Sequence, residues 1–131
     1  MSDFLTALHG HLTGTPALAA LVGTRVYPDS VPLKATLPAM SYLVVDGRPL
    51  QHRSSRQATF GNTLVQLDIY GATRADAQAV RKAVLEAMGT FFGGGPPRVD
   101  VALRNNEQAA YEPETGRYRS IIEFRIWHEE G

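Results

Sequence analysis

The ten residues 64–73 read LVQLDIYGAT. Val65, Leu67 and Ile69 alternate with polar or amphipathic neighbours, and this period of two is typical of a strand that buries one face. Gly71 interrupts the pattern, because glycine weakens the interior of a strand and permits a change of chain direction. The prediction of the whole fold starts from this strand.

A helix is predicted directly after the strand, over residues 74–88 (RADAQAVRKAVLEAM). Thr73 and Asp76 have the spacing of a capping box, in which side chains satisfy the free amides of the first turn. Apolar residues three or four apart form one stripe along this helix: Ala77, Val80, Val84 and Met88. A strand that feeds directly into a helix lying back on its sheet is the nucleus of an α+β fold.

Two further helices are predicted near the N-terminus. The apolar residues of the first recur with helical spacing: Phe4, Leu5, Leu8 and Leu12. The second opens with Thr15 as its cap and Pro16 at its first helical position, and Gly23 is placed to stop it. Both are expected to pack on the sheet.

Additional strands are predicted on either side of the central unit, over 25–27, 40–45, 99–103, 108–111 and 117–128. The run at 40–45 is apolar on both faces and is expected to be an interior strand. A loop is predicted to follow it, over 46–58. We therefore expect one α+β domain over residues 1–131, with a mostly antiparallel sheet of four to five strands and two or three helices packed on it.

The sequence EPETG at 112–116 predicts the turn of a hairpin, with Pro113 in a type I turn and Gly116 where the chain needs positive φ. Alternation along the second arm assigns its two faces. One face carries Ile122, Phe124 and Ile126, and the other carries Ile121, Glu123, Arg125 and Trp127. The glutamates of the turn are expected to serve turn chemistry and solubility.

The composition excludes several classes of function. The chain has 131 residues and a formal net charge of zero, so no overall field draws it to nucleic acid or to a membrane. The absence of cysteine excludes thiol catalysis and disulfide scaffolding. No apolar run is long enough to span a bilayer, and the start of the chain lacks the basic residues of a signal peptide. We expect a soluble protein made in the cytoplasm.

No catalytic or metal-binding set can be assembled from the sequence, so we expect neither an enzyme nor a cofactor. His9 and His11 are two residues apart and do not share a helix face, and no cysteine or nearby carboxylate completes a zinc site. They are expected at a solvent-facing helix end, and His128 is expected at the surface. Asp68 is expected to form an ion pair rather than to act as a buried acid.

Four segments in order resemble the tail completion, or tail terminator, proteins of long-tailed bacteriophages and prophages. They are ALVGTRVYP at 20–28, LPAMSY at 37–42, QLDIYGAT at 66–73, and ETGRYR at 114–119 leading to FRIWH at 124–128. Each segment alone is ordinary strand, turn or cap chemistry, and the ordered combination carries the resemblance. The segments span nearly the whole chain, apart from the connector at 93–98.

The resemblance implies a tail-terminator-like α+β domain that assembles into a ring, typically a homohexamer. Such a ring caps the head-proximal end of the tail tube, stops its growth and joins the tail to the head connector. The implied partners are other copies of the chain, the tail tube protein and the connector or stopper protein, with no membrane. The expected location is the tail–neck junction of a virion whose proteins are made in the cytoplasm of the bacterial host.

Two sets of residues are candidates for contacts in such an assembly. Aromatic residues and arginine are frequent interface anchors, and a strand-face set is expected to form part of the subunit contact: Gln66, Asp68, Tyr70, Tyr118, Glu123, Arg125 and Trp127. The alternative is that a helix of the same chain covers this face. A second set in the loop at 46–58 is a candidate for contact with DNA in the lumen: Arg48, His52, Arg53 and Arg56. The alternative for these is a solvated loop.

Two other functions remain open from the sequence. A head-side neck or stopper protein at the same junction would also form a ring. A small-ligand-binding regulatory domain belongs to a different class, because a sheet with helices packed on it commonly hosts small-molecule sites.

Overall fold

The computed structural model describes residues 3–50, 60–93 and 98–129. Within these ranges the chain forms α1 (Asp3–Gly14), α2 (Pro16–Val22), β1 (Val26–Pro28), β2 (Ala39–Leu50), β3 (Phe60–Gly71), α3 (Arg74–Gly89), β4 (Val99–Glu112) and β5 (Arg117–Glu129). None of these helices is long and apolar enough to cross a lipid bilayer.

The strands form one sheet in the order β1-β2-β3-β5-β4. β1 pairs with β2 in parallel, and the remaining neighbours pair antiparallel. β3 therefore lies in the middle of the sheet. One row of register partners crosses all the strands, formed by Val26, Met40, Ile69, Ser120 and Ala109. This arrangement confirms the predicted α+β class with a mostly antiparallel sheet.

The helices cover one side of the sheet, which we call the helix side; the other is the open side. Val65, Leu67 and Ile69 of β3 point to the helix side and are fully buried. The three strand residues pack there against the apolar stripes of the three helices. These stripes consist of Phe4, Leu8, Leu12, Leu18, Val22, Val80, Val84 and Met88. The alternation of β5 is confirmed too, since Ile122, Phe124 and Ile126 are buried in the same core.

The passage from β3 into α3 depends on a close approach of two backbones. The Thr73 hydroxyl accepts a hydrogen bond from the Asp76 N–H at 3.1 Å, so Thr73 caps the helix as predicted. A Cβ atom on Gly71 would lie 2.6 Å from the amide nitrogen of Ala77 and 2.9 Å from the Thr73 carbonyl oxygen. Both neighbours are backbone atoms, so the first turn of α3 can sit on the end of β3 only where a glycine stands.

β2 is longer than the sequence predicts. It continues through Asp46 to Leu50, so the first part of the loop expected over 46–58 is strand. A register shift between Val44 and Asp46 absorbs one extra residue and allows pairing with β3 to resume. The loop was predicted to begin at Asp46 because Asp and Gly are frequent in turns, whereas here the strand continues through them after the bulge.

β4 is one strand where two were predicted. The segments at 99–103 and 108–111 join through a polar stretch, with a register shift between Arg104 and Asn106. β4 lies at the edge of the sheet and most of its residues are exposed. An edge strand without a buried face shows little alternation in sequence, so the middle of β4 was missed.

The close approach at Gly71 generates a stability prediction. Gly71→Ala should lower the free energy of unfolding by about 1–3 kcal/mol, because the added methyl group meets fixed backbone atoms. Gly10→Ala, in the middle of α1 with no atom within 4 Å of the new Cβ, should instead stabilise by roughly 0.5–1 kcal/mol. Urea denaturation of both variants measures the difference. A Gly71→Ala variant as stable as the wild type would contradict this account.

Candidate assembly surfaces

The residues expected to form a subunit contact do not all lie on one side of the sheet. The open side carries Gln66, Asp68, Tyr70, Glu123, Arg125 and Trp127. Tyr118 does not belong with them, because it precedes Ser120 and Ile122 in the alternation of β5 and so points to the helix side. The expectation that Tyr118 shares a strand face with the other six residues is wrong.

Part of the open side is covered by the chain itself. The segment 29–38, between β1 and β2, packs over the end of β3, and Tyr70 is 8% exposed there. The residues that pack with Tyr70 are Val31, Ala39, Tyr27, Ala35 and Leu37. Tyr70 is therefore buried within the protomer by a loop, where the sequence suggested either a helix or a neighbouring subunit.

Asp68 lies beside Tyr70 and is 5% exposed. Its carboxylate pairs with the Arg119 guanidinium, with Oδ2 and Nη2 3.2 Å apart. It also accepts hydrogen bonds from Nε2 of Gln66 at 3.0 and 3.2 Å. The predicted ion pair is confirmed. The ion pair links β3 to β5. Asp68 depends on it, because a buried carboxylate without a partner would be costly.

Arg117, Arg119 and Glu112 extend this polar cluster to the hairpin turn. Nη2 of Arg117 lies 3.1 Å from Oε1 of Glu112, and its guanidinium carbon stands 4.1 Å above the centre of the Tyr70 ring. Burial raises the pKa of the Tyr70 hydroxyl, whereas the Arg119 charge lowers it to a smaller extent. Glu112 therefore has a structural role in addition to the turn role predicted for it.

The exposed part of the open side lies on β4 and β5. Val101 and Leu103 are 37% and 52% exposed, and their register partners are Trp127 and Arg125. We call these residues, together with Glu123, the β4–β5 patch. Trp127, Arg125 and Glu123 are half-buried. Arg125 donates to the Asn62 side chain at 3.0 Å and lies 3.8 Å from the Asp46 carboxylate, so its guanidinium is held in place.

A groove of about 350 Å³ lies on the helix side, between the start of α3 and the β4–β5 hairpin. It is lined by Arg74, Ala77, Gln78, Ala109, Ala110, Tyr111, Tyr118, Arg119 and Ser120. We call it the hairpin groove. α3 packs on β3 and β5, and it leaves the small side chains of β4 uncovered at this end. The Tyr111 and Tyr118 rings, 4.7 Å apart, form one wall.

An ion pair joins α3 to β4 above the groove. The Arg81 guanidinium donates to both carboxylate oxygens of Glu107, with Nη2 to Oε1 at 2.9 Å. The hydrogen bond from Arg81 holds the pKa of the Glu107 carboxyl below its ordinary value. The stability that this pair supplies is therefore present above the ordinary glutamate pKa of roughly 4.3 and is lost as the pH falls through the lower pKa of the folded state.

The three histidines within the described residues make structural contacts. His9 and His11 are half-buried, and the expectation that His128 lies at the surface is wrong. His11 makes a 2.7 Å hydrogen bond with the Ala87 carbonyl of α3, and His9 lies 3.1 Å from the Tyr42 hydroxyl. His128 is 4% exposed, stacks on Phe4 with ring centres 3.8 Å apart and contacts the Thr63 hydroxyl at 2.7 Å. These are long-range contacts that spacing along the chain does not reveal.

Among the described residues, no group of three histidine, cysteine or acidic side chains could hold a metal ion. Three of the residues suggested for DNA contact, His52, Arg53 and Arg56, lie outside the described residues. Arg48 stands in β2 opposite Asn62, and its backbone alone is described.

The family model described as Tail completion protein gp17 matches residues 6–129 of the chain. The chain belongs to this family. A comparison with curated protein sequences gives no significant match.

This tail completion protein also resembles a chain in the virion of a native gene transfer agent (GTA) particle. The TM-score is 0.68 at 23% sequence identity, with 96% of this chain and 93% of that chain covered. At this identity the likeness supports the fold. The family membership makes the chain a structural protein of a phage tail.

The buried cluster of this tail completion protein predicts unequal effects of two arginine truncations. Arg119→Ala should lower the free energy of unfolding by about 3 kcal/mol, because Asp68 stays buried without its cation. Arg98→Ala removes a pair with Asp100 whose side chains are 52% and 42% exposed, and it should cost under about 1 kcal/mol. Guanidinium denaturation compares the two, and equal losses would contradict a structural role for the cluster.

Proposed function

We propose that this protein forms a ring, a homohexamer, at the head-proximal end of the tail tube. There it ends tube growth and presents a surface to the head connector. The family match over residues 6–129 is the observation that supports this most directly. The work is one of binding and assembly, in a single domain over residues 1–131.

The β4–β5 patch supports a role in subunit contact. It combines exposed aliphatic side chains with Trp127 and an arginine fixed by Asn62, and such anchors are frequent at the centres of interfaces. The proposed contact set is smaller than the predicted one, because Asp68 and Tyr70 are buried within the protomer and Tyr118 points to the helix side. The residues that keep this role are Gln66, Glu123, Arg125 and Trp127, joined by Val101 and Leu103. Such a patch would meet a different surface of the next subunit, as a closed ring requires.

The patch generates a test of the proposed function. When purified tail tube protein of the same particle polymerises, added wild-type protein should bind one end of each tube and limit its length in negative-stain images. Leu103→Asp should abolish capping, because it places a charge in the apolar part of the contact. Charge reversal at Arg125 is a less selective change, since the new acid would face Asp46 in the same protomer.

Val44→Asp is the matched control. Like Leu103, Val44 is an exposed aliphatic residue of a strand, and it is 40% exposed. It lies on β2 outside the β4–β5 patch, and its register partner is the core residue Val65. It should cap tubes like the wild type. Tubes of unlimited length in the presence of wild-type protein would overturn the terminator role. A wild-type ring that binds the connector but no tube end would assign the protein to the head side as a stopper.

The segment that carries Arg48, His52, Arg53 and Arg56 is proposed to contact the phosphates of passing DNA, without sequence preference. The assembled protein should then bind double-stranded DNA with an affinity that falls as salt rises. The logarithm of the DNA-binding constant falls linearly with the logarithm of the salt concentration. Replacing Arg53 and Arg56 by Gln should reduce the steepness of this slope by roughly two for each subunit that contacts DNA. Fluorescence anisotropy over a salt series measures this slope. Absent or salt-insensitive binding would leave the segment as a solvated loop.

A further inference from the structure

The outer edge of β2 is covered over only part of its length. β1 pairs with residues 40–42 of β2, and among the described residues no strand lies beside 43–50 on that side. Just after β1, Asp29 has a left-handed φ of 69°, and the loop 29–38 passes onto the open side. An uncovered strand edge presents backbone N–H and C=O groups that a further strand can bind.

The hydrogen bonds to β1 show which residues of β2 direct their backbone groups outward. The Tyr42 carbonyl accepts from the Asp29 N–H at 2.8 Å, and alternation gives Val44 the same direction. The register partners of Val44, Gly47 and Pro49 follow one another at every second residue of β3, so all three face outward. Pro49 has no N–H, so the free donors of this edge are those of Val44 and Gly47.

β4 has outward-facing backbone groups too. Val99 exchanges two hydrogen bonds with Gly93, at 2.6 and 3.1 Å, so Val99 faces away from β5. Val99, Ala102 and Arg104 pair with every second residue of β5 and therefore share this direction. Gly93 occupies the edge at Val99, whereas no strand of the described ranges lies beside Ala102 and Arg104.

Rows of register partners connect the two edges. Val44 and Arg104 are the ends of one row across the sheet, and Gly47 and Ala102 are the ends of another, two residues further along β3. Successive antiparallel pairings make β2 and β4 run in opposite directions. Copies rotated about a ring axis at one level would therefore bring β4 of one copy antiparallel to β2 of the next, with outward groups facing each other.

The outer edge of β1 does not offer such a pairing. Arg25 and Asp29 bond to β2 through their backbones, so alternation leaves Val26 and Pro28 facing outward. The Val26 N–H is already bonded to the Thr24 carbonyl, and Pro28 has no N–H. A ladder between copies is therefore confined to the uncovered part of β2.

Side chains of opposite charge belong to the same two edges. A hollow of about 270 Å³ lies between α1 and the uncovered part of β2, and Asp29 forms part of its wall. Asp29 is exposed and makes no ion pair within the described part of the chain. Arg104 points to the helix side, as its register partner Phe124 does. Its side chain is 50% exposed, and its partner Glu107 is already bound by Arg81.

We infer that the β4 edge of one subunit pairs with the uncovered part of β2 in the next copy of this chain, so that one sheet continues from subunit to subunit. Arg104 pairs with Val44 and Ala102 pairs with Gly47, and the Arg104 guanidinium reaches Asp29 of the neighbour. This inference rests on the proposed ring and names its head-to-tail contact. The contact joins unlike edges, so it can repeat around a closed ring.

This pairing agrees with the results expected for the two variants of the tube-capping test. Leu103 shares a row with Asp46, so Leu103→Asp would set two acids opposite each other at the joint. Val44→Asp would instead place its carboxylate beside the Arg104 guanidinium of the neighbour. It should therefore leave the contact intact.

Cysteine cross-linking tests the contact, because the natural chain contains no cysteine. A chain carrying both Val44→Cys and Arg104→Cys should give disulfide-linked multimers on mild oxidation of assembled protein, up to the full ring. Cross-linking within one protomer is excluded, since three interstrand spacings of about 4.8 Å separate β2 from β4. Val44→Cys with Tyr111→Cys is the control. Tyr111 is 50% exposed on the same side of β4 but near its far end, and should give no ladder.

A double-mutant cycle provides an independent readout of the ion pair. Arg104→Gln and Asp29→Asn should each weaken assembly roughly five-fold at low salt, and together they should weaken it no more than either alone. Asparagine tolerates the left-handed backbone at position 29, so this change removes the charge without adding strain. Additive losses would contradict a pairing of Arg104 with Asp29.

The outcomes separate this contact from the ring itself. A wild-type ring whose Val44–Arg104 cysteine pair cross-links no better than the control pair would overturn the contact and leave the ring intact. Cross-linked species that stop at dimers would rule out the head-to-tail arrangement. A wild-type chain that stays monomeric with and without tail tubes would overturn the contact and the ring together.

Discussion

The middle strand β3 is buried on both sides of the sheet. On the helix side, Val65, Leu67 and Ile69 meet the helices in a dry core. On the open side, Asp68 and Tyr70 are equally enclosed, by Arg119 and by the loop 29–38. A strand enclosed on both sides cannot shift its register without exposing apolar groups on one side and breaking an ion pair on the other. β3 therefore fixes the positions of both of its neighbours.

This constraint gives the two halves of the sheet different surfaces. Near β1 the open side is closed by the protein's own loop, and the strand edge lacks free N–H groups. Near β4 the open side carries exposed aliphatic residues, and the helix side has a groove that α3 does not fill. A protomer whose opposite edges differ in this way suits a head-to-tail contact better than a two-fold one, because a two-fold contact needs one self-complementary surface.

Much of the fold could be predicted from local patterns. The β3 alternation, the Thr73 cap and the hairpin turn are decided by neighbours along the chain, and each was correct. The errors arose where distant residues decide. His11 meets Ala87 and His128 stacks on Phe4, contacts that depend on how the helices pack. Asp46 and Gly47 suggested a turn where β2 continues, the bulge in β4 hid strand continuity, and Tyr118 was placed on the wrong side.

For the candidate site, residue types were a better guide than residue positions. Trp127 and Arg125 were singled out because aromatic residues and arginine anchor interfaces, and they lie next to the exposed aliphatic residues of β4. Leu103 could not be recognised, because nothing in the sequence distinguishes an exposed leucine from a buried one. Its exposure follows from the position of β4 at the sheet edge.

The proposed ring closes only if unlike edges of neighbouring protomers meet. Native mass spectrometry over a concentration series, with negative-stain images of the same samples, tests it most directly. We expect one closed species, a hexamer with a central hole, formed alone or on the ends of tail tubes. A two-fold dimer as the final state, or an open-ended series of oligomers, would contradict it.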